Sequence, residues 1–144
     1  MYCKLQRART VDWKLNIPFA SVPEAFIRAR KAKYFSYEEY LESAELYDEL
    51  PTYWNMALYD GEEIKIFVYG LYDPLEKIMH VIHIAKHPSL DDSYLAKTAH
   101  IIKLFAQGLD LKTVFIITNR WRSFAKKLDG VAYINDKAKV MELY

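Results

Sequence analysis

The chain has 144 residues, of which 52% are hydrophobic and 15% aromatic, and its formal net charge is +1. That length fits one domain over residues 1–144 with a core of its own, and the apolar content excludes disorder. A net charge so close to zero supplies no global field to draw in nucleic acid or a membrane surface.

Cys3 is the only cysteine, which excludes a disulfide framework and a CxxC metal site. The start "MYCKLQRART" is too polar for a signal peptide, and no apolar run reaches the roughly 20 residues of a membrane span. The expectation is a soluble protein of a reducing, cytoplasmic compartment. Charge is segregated locally: "RARKAK" (28–33) and "NRWRSFAKK" (119–127) are basic, whereas "EEYLESAELYDEL" (38–50) carries only acids. Solvated helix faces are the ordinary reading of such runs, and a bipolar docking surface is the alternative.

In chain order, "YCKLQRA" alternates as a first strand, with Thr10 and Asp12 as helix-start residues after it. In "NIPFASVPEAFIRARKAKYF", Ser21 is placed to cap, Pro23 suits a first helical turn, and Phe26, Ile27 and Arg30 continue the helix. "SYEEYLESAELYDEL" opens with Ser36-x-x-Glu39, a capping-box spacing. Tyr40, Leu41, Ala44 and Tyr47 form its apolar stripe, and Pro51 stops it. "WNMALYDGEEIKIFVYGLYD" reads as two strands joined at Asp60-Gly61, Asp73-Pro74 marks a second turn, and "KIMHVIHIA" is a third strand ended by Pro88. "SYLAKTAHIIKLFAQG" is an amphipathic helix with Leu95, Ala99, Ile102 and Ala106 at helical spacing and Gly108 past its end. "KTVFIIT" is a short buried strand. "RWRSFAKKLDG" is a short helix stopped at Gly130, and "VAYINDKAKVMELY" supplies one or two strands about Asn135-Asp136.

The order β-α-α-β-β-β-α-β-α-β, together with "DGEEIKIFVYG", Thr118-Asn119 and a glycine eleven residues after Asn119, resembles the GCN5-related N-acetyltransferase (GNAT) superfamily. "RARTVDW" is similar to the opening strand and Thr-x-Asp of such domains, and "NRWRSFAKKLDGVAY" to their last motif. The resemblance implies an α/β (α+β) fold, a mixed, largely antiparallel sheet flanked by helices. It also implies an acetyl-CoA site at the end of the fourth strand, where a glycine-rich loop and a helix start hold the pyrophosphate. At those loop positions this chain carries Asp91, Asp92, Ser93, Tyr94, Leu95 and Ala96, and only Ala96 conforms. Asp91 and Asp92 suit the first turn of a helix and oppose a bound phosphate with like charge, while Tyr94 adds bulk. The expectation is therefore a degenerate loop whose helix start is capped by its own carboxylates.

The general-acid tyrosine of such enzymes has no counterpart: Lys126 stands seven residues after Asn119, with Ala125 and Phe124 beside it. The third strand of the middle region carries His80 and His83, and His87 follows. A histidine base is chemically reasonable near neutral pH, so the acting pair in an active protein would be His83 and Lys126. Strict alternation puts His80 on the face opposite His83 and His87, with no acidic partner nearby, so no metal is expected. His100 has no visible partner. Of the twelve tyrosines, Tyr34, Tyr37, Tyr40, Tyr47, Tyr53 and Tyr59 crowd the first half. They line the core with wet hydroxyls or form an aromatic partner face.

Among GNAT-like domains the chain resembles the degenerate acetyltransferase-like proteins encoded among the structural genes of short-tailed phages. That implies virion assembly rather than acyl transfer, in the host cytoplasm or the virion, with protein partners; the degenerate loop gives the expectation of no cofactor, and the lack of a basic stripe interleaved with exposed aromatics that of no nucleic acid. The alternative is an acetyl-CoA-dependent N-acyltransferase with an atypical cofactor loop.

Overall fold

In the computed structural model, which describes residues 11–29, 36–116, 132–135 and 140–143, the alternating stretches become strands of one sheet. They are β1 (Val11–Leu15), β2 (Tyr53–Asp60), β3 (Glu63–Asp73), β4 (Ile78–Lys86), β5 (Thr113–Ile116), β6 (Ala132–Asn135) and β7 (Val140–Leu143). Their spatial order is β1-β2-β3-β4-β5-β7-β6. Every neighbouring pair is antiparallel except β4 and β5, which run parallel. A parallel pair needs a crossover connection, and here the helix α3 (Ser93–Gly108) provides it. Before β2 come a 3-10 turn (Phe19–Ser21), α1 (Glu24–Ala29) and α2 (Tyr37–Asp48).

The sheet has two buried faces. On one, Trp54, Met56, Val68, Met79 and Val81 pack beneath Leu95, Ala99, Ile102 and Ala106 of α3. On the other, Ala57, Phe67, Tyr69 and Ala85 pack beneath α1 and α2 through Phe26, Ile27 and Ala44. The helical spacing read in α3 is thus its buried stripe. Tyr37, Tyr53 and Tyr59 pack partly buried against the α1/α2 side, as core lining; the side chains of Tyr34, Tyr40 and Tyr47 lie outside the described residues.

Turn chemistry agrees with the sequence in detail. Gly61 takes φ 64° between the paired residues Asp60 and Glu63, a conformation glycine adopts without steric cost. Asp73 turns the chain at Pro74 by accepting from the N–H groups of Leu75 (2.9 Å) and Glu76 (3.1 Å). The capping box of α2 is reciprocal: Glu39 N–H donates to Ser36 Oγ and Ser36 N–H to Glu39 Oε1, both at 3.2 Å.

Three local expectations are corrected. Asp12, read as a helix-start residue, lies within strand β1, whose residues pair with β2 from Val11↔Asp60 to Leu15↔Met56; Thr10 and the stretch 2–8 lie outside the described residues. Ser21 does not cap α1, since its hydroxyl donates to the Pro18 carbonyl at 2.6 Å. Gly108 belongs to the last turn of α3, and Asp110 takes the positive φ, 59°, that ends it.

Two β-bulges adjust the sheet. Between Leu58↔Ile66 and Tyr59↔Ile64, Lys65 is the extra residue on β3. Between Tyr69↔His83 and Gly70↔Val81, Ile82 is the extra residue on β4. A bulge adds one residue to one strand and so flips the side-chain alternation beyond it. Gly70, opposite this second bulge, lies so close to β4 that an added Cβ would meet the His80 carbonyl oxygen at 1.9 Å.

Candidate functional site

The place to test for chemistry is the end of β4 and its passage into α3. Among the described residues, β4 pairs with β5 only from Ile78↔Thr113 to Val81↔Ile116, while its pairing with β3 continues to Lys86.

The bulge changes which histidines share a face. Met79 and Val81 point to the α3 side, so His80 points to the other, where its ring stands 6.1 Å from that of Phe115. Past Ile82, His83 also points to that other side and lies 5.5 Å from the ring of Tyr69, a core residue there. Strict alternation had separated the two; the inserted residue reunites them. His83 is buried, and the Tyr69 ring beside it is itself in contact with those of Phe67 and Tyr53. His87 lies beyond the strand, its N–H donating to the Lys65 carbonyl at 2.8 Å. His100 is exposed on α3. Among the described residues, no three His, Cys, Asp or Glu side chains gather in a cluster able to hold a metal ion.

At the start of α3 the two aspartates divide their work. Asp91 caps: its Oδ1 accepts the Ser93 N–H at 2.9 Å and also the Ser93 hydroxyl. Those two bonds, with Lys97 and Lys86 behind them, hold the Asp91 carboxyl below the usual carboxylate range. Asp92 occupies the cap position but makes no side-chain cap bond, which corrects the expectation of a shared cap. Its carboxylate instead lies 3.6 Å from Lys86 Nζ. The next N–H groups are taken by backbone, Tyr94 by the Asp91 carbonyl (3.3 Å) and Leu95 by the Asp92 carbonyl (3.0 Å). The donors that a helix start offers to an anion are therefore engaged from within.

Lys86 is the residue that sequence reasoning missed. Its side chain is only 10% exposed, and its ammonium donates to the carbonyls of Leu90 (2.6 Å) and His87 (3.4 Å). It draws the 87–92 loop inward around itself. His87 Nδ1 accepts the Ser89 N–H at 3.1 Å, which fastens the same loop from the other end. Burial, and then the Lys65 ammonium, push His87 below the ordinary imidazole range; Lys86 adds to this and Glu63 opposes it. No motif marks such a lysine, because its partners are mostly backbone carbonyls.

Tyr94 and Ala96 are part of the α3-side packing, and Lys97 Nζ lies 4.5 Å above the Tyr94 ring. Ala96, the one conforming loop position, thus serves the core. Asn119 and Lys126 lie outside the described residues. A second residue missed in the sequence is Asn55, fully buried on β2. Its side chain accepts the Ile17 N–H (2.8 Å) and donates to the Ile17 carbonyl (2.9 Å) and to Tyr53 OH (2.9 Å). It anchors the chain leaving β1 to the sheet.

This architecture is the GNAT fold. It superimposes on Tetrahymena GCN5 with a TM-score of 0.64 and 13% identity, over 92% of this chain and 95% of that one. For the N-acetyltransferase PseH of Campylobacter jejuni, solved in complex with acetyl coenzyme A, the TM-score is 0.61 at 19% identity, covering 92% and 94%. For an IAA acetyltransferase from Bacillus cereus it is 0.63 at 12% identity, covering 93% and 96%. The sequence matches no protein-family model and no curated protein. Among the described residues no helix is long and apolar enough to cross a membrane.

Proposed function

We propose that this chain is a non-catalytic interaction protein of GNAT fold, acting in a larger assembly such as the phage virion that its sequence resemblance implies. One observation carries the reading. The helix start that would receive a pyrophosphate is closed by Asp91, Ser93 and the loop wrapped around Lys86. An incoming phosphate would have to displace bonds already made and lie beside two carboxylates. The fold by itself is neutral on activity, since function resides in the site.

The test is thermal unfolding with acetyl-CoA at about 1 mM. A ligand at a hundredfold its Kd stabilises the folded state by about 2.7 kcal/mol, several degrees for a domain of this size. The expected result is no resolvable shift. A shift of several degrees sinks the reading.

A second reading, an acetyl-CoA-dependent N-acyltransferase with an atypical loop, draws on the fold shared with solved acetyltransferases, PseH in complex with acetyl coenzyme A among them. It would place His83 as the base and Lys126 as the acid. Turnover of an amine acceptor that disappears in His83→Ala would promote this reading over the first.

A further inference from the structure

The loop between β4 and α3 is held by an acceptor that a proton can remove. Residues 87–90 form a turn, with the Leu90 N–H donating to the His87 carbonyl at 3.1 Å and Pro88 in the second position. Proline favours that position, and the first is ordinarily taken by Asp, Asn or Ser, whose side-chain oxygen accepts the N–H two residues on. Here His87 does that work: its Nδ1 accepts the Ser89 N–H at 3.1 Å and lies 2.8 Å from the Ser89 hydroxyl. A backbone N–H only donates, so Nδ1 must carry its lone pair and the ring must be the neutral Nε2–H form. Protonation turns Nδ1 into a donor. The Ser89 hydroxyl can reverse and accept from it, but the Ser89 N–H cannot, and is left facing another donor. The oxygen of an Asn or Asp at this place would keep accepting; the imidazole alone loses its lone pair in mild acid.

Among the described residues, the charges that face the ring are Lys65 and Glu63 of β3 and Lys86 of β4, with Asp92 at the start of α3 lying 3.6 Å from Lys86 Nζ. Lys65 is itself paired with Glu63 at 3.0 Å. A charged His87 therefore adds a further cation to a loop already wrapped around the Lys86 ammonium. Burial and Lys65 hold His87 below the ordinary imidazole range, so the acceptor is intact at neutral pH and is lost only as pH falls through that lowered value. We propose that His87 is a proton-operated latch on the 87–92 loop. Neutral, it pins Ser89 within the turn. Protonated, it frees the turn, and with it Leu90, which packs against the α3-side core and gives its carbonyl to Lys86. The latch works in the same way whether or not the chain binds acetyl-CoA.

The test is NMR on the intact, nitrogen-labelled protein. At about pH 7.5, above the ordinary histidine pKa of about 6.5, the His87 ring should show a protonated Nε2 and a bare Nδ1. Lowering the pH to about 5 should titrate that ring. The Ser89 amide should shift with the same midpoint, while its protection, taken relative to intrinsic exchange at each pH, falls roughly tenfold. The amides of Ile102 and Ala106 in α3 should keep theirs, which separates a local opening from unfolding. In His87→Asn the side-chain oxygen stands in for Nδ1 and does not titrate, so Ser89 should be protected equally at both pH values. A protonated Nδ1 at the higher pH overturns the proposal. So does Ser89 protection that ignores the His87 midpoint, an equal loss in His87→Asn, or a loss shared with Ile102 and Ala106. The ring tautomer and the titration are both read on the parent, so a poorly folded variant still leaves the proposal open to disproof.

Discussion

The two halves of β4 behave as different structures. From Ile78 to Val81 the strand is paired on both sides, to β3 and to β5, and its side chains alternate regularly. From Ile82 to Lys86 it keeps β3 alone among the described residues, its alternation reversed. The first half is framework. The second carries His83 to the α1/α2 side and Lys86 into the loop that closes α3. One inserted residue separates them. Downstream, Lys86 and Asp91 engage the loop and the start of α3 from within.

The largest way to break this division is at Gly70. An alanine there drives its Cβ against the His80 carbonyl, with the Trp54 ring 3.0 Å away. Backbone cannot yield as a flexible side chain does, so Gly70→Ala should cost about 3 kcal/mol or more. Urea denaturation measures it, and a midpoint unchanged from the parent would show that the strands have slack where the bulge begins.

A smaller effect sharpens the second half. Lys86→Met keeps the buried stem but removes the donor to the Leu90 carbonyl, at a cost of about 1–3 kcal/mol. Asp91→Ala should lower the urea midpoint by less, and Asp92→Ala by less again, because only Asp91 makes the cap bonds. Equal losses from the two aspartates would contradict that division of work.

The smallest effect is in pH. Both Asp91 and His87 are held below their ordinary values in the fold, so the unfolded chain binds more protons and stability rises with pH. The His87 contribution is present above about 6.5 and is lost as pH falls through its lower folded value; that of Asp91 is present above about 3.9 and is lost in the same way. His87→Gln should flatten the stability profile between about pH 7 and 5, and Asp91→Asn the part below. A His87 imidazole titrating above 6.5 by NMR would reverse the first expectation.

The capping box of α2, the turns at Gly61 and Asp73, and the buried stripe of α3 were legible because each depends on residues within a few positions of one another. So was the absence of glycines from the loop after β4. His80 and His83 were assigned to opposite faces because alternation assumes an unbroken strand. The bulge at Ile82 exists only through pairing with β3, a partner several residues and one turn away. Lys86 and Asn55 were invisible for a related reason. Each is a polar residue defined by backbone groups it meets in space, Leu90 and His87 for one, Ile17 for the other. Sequence by itself determined the elements and the chemistry at their ends, since propensity and capping are local. The tertiary structure alone decided which side chains share a face and which group fills the helix start, because those follow from strand register and burial.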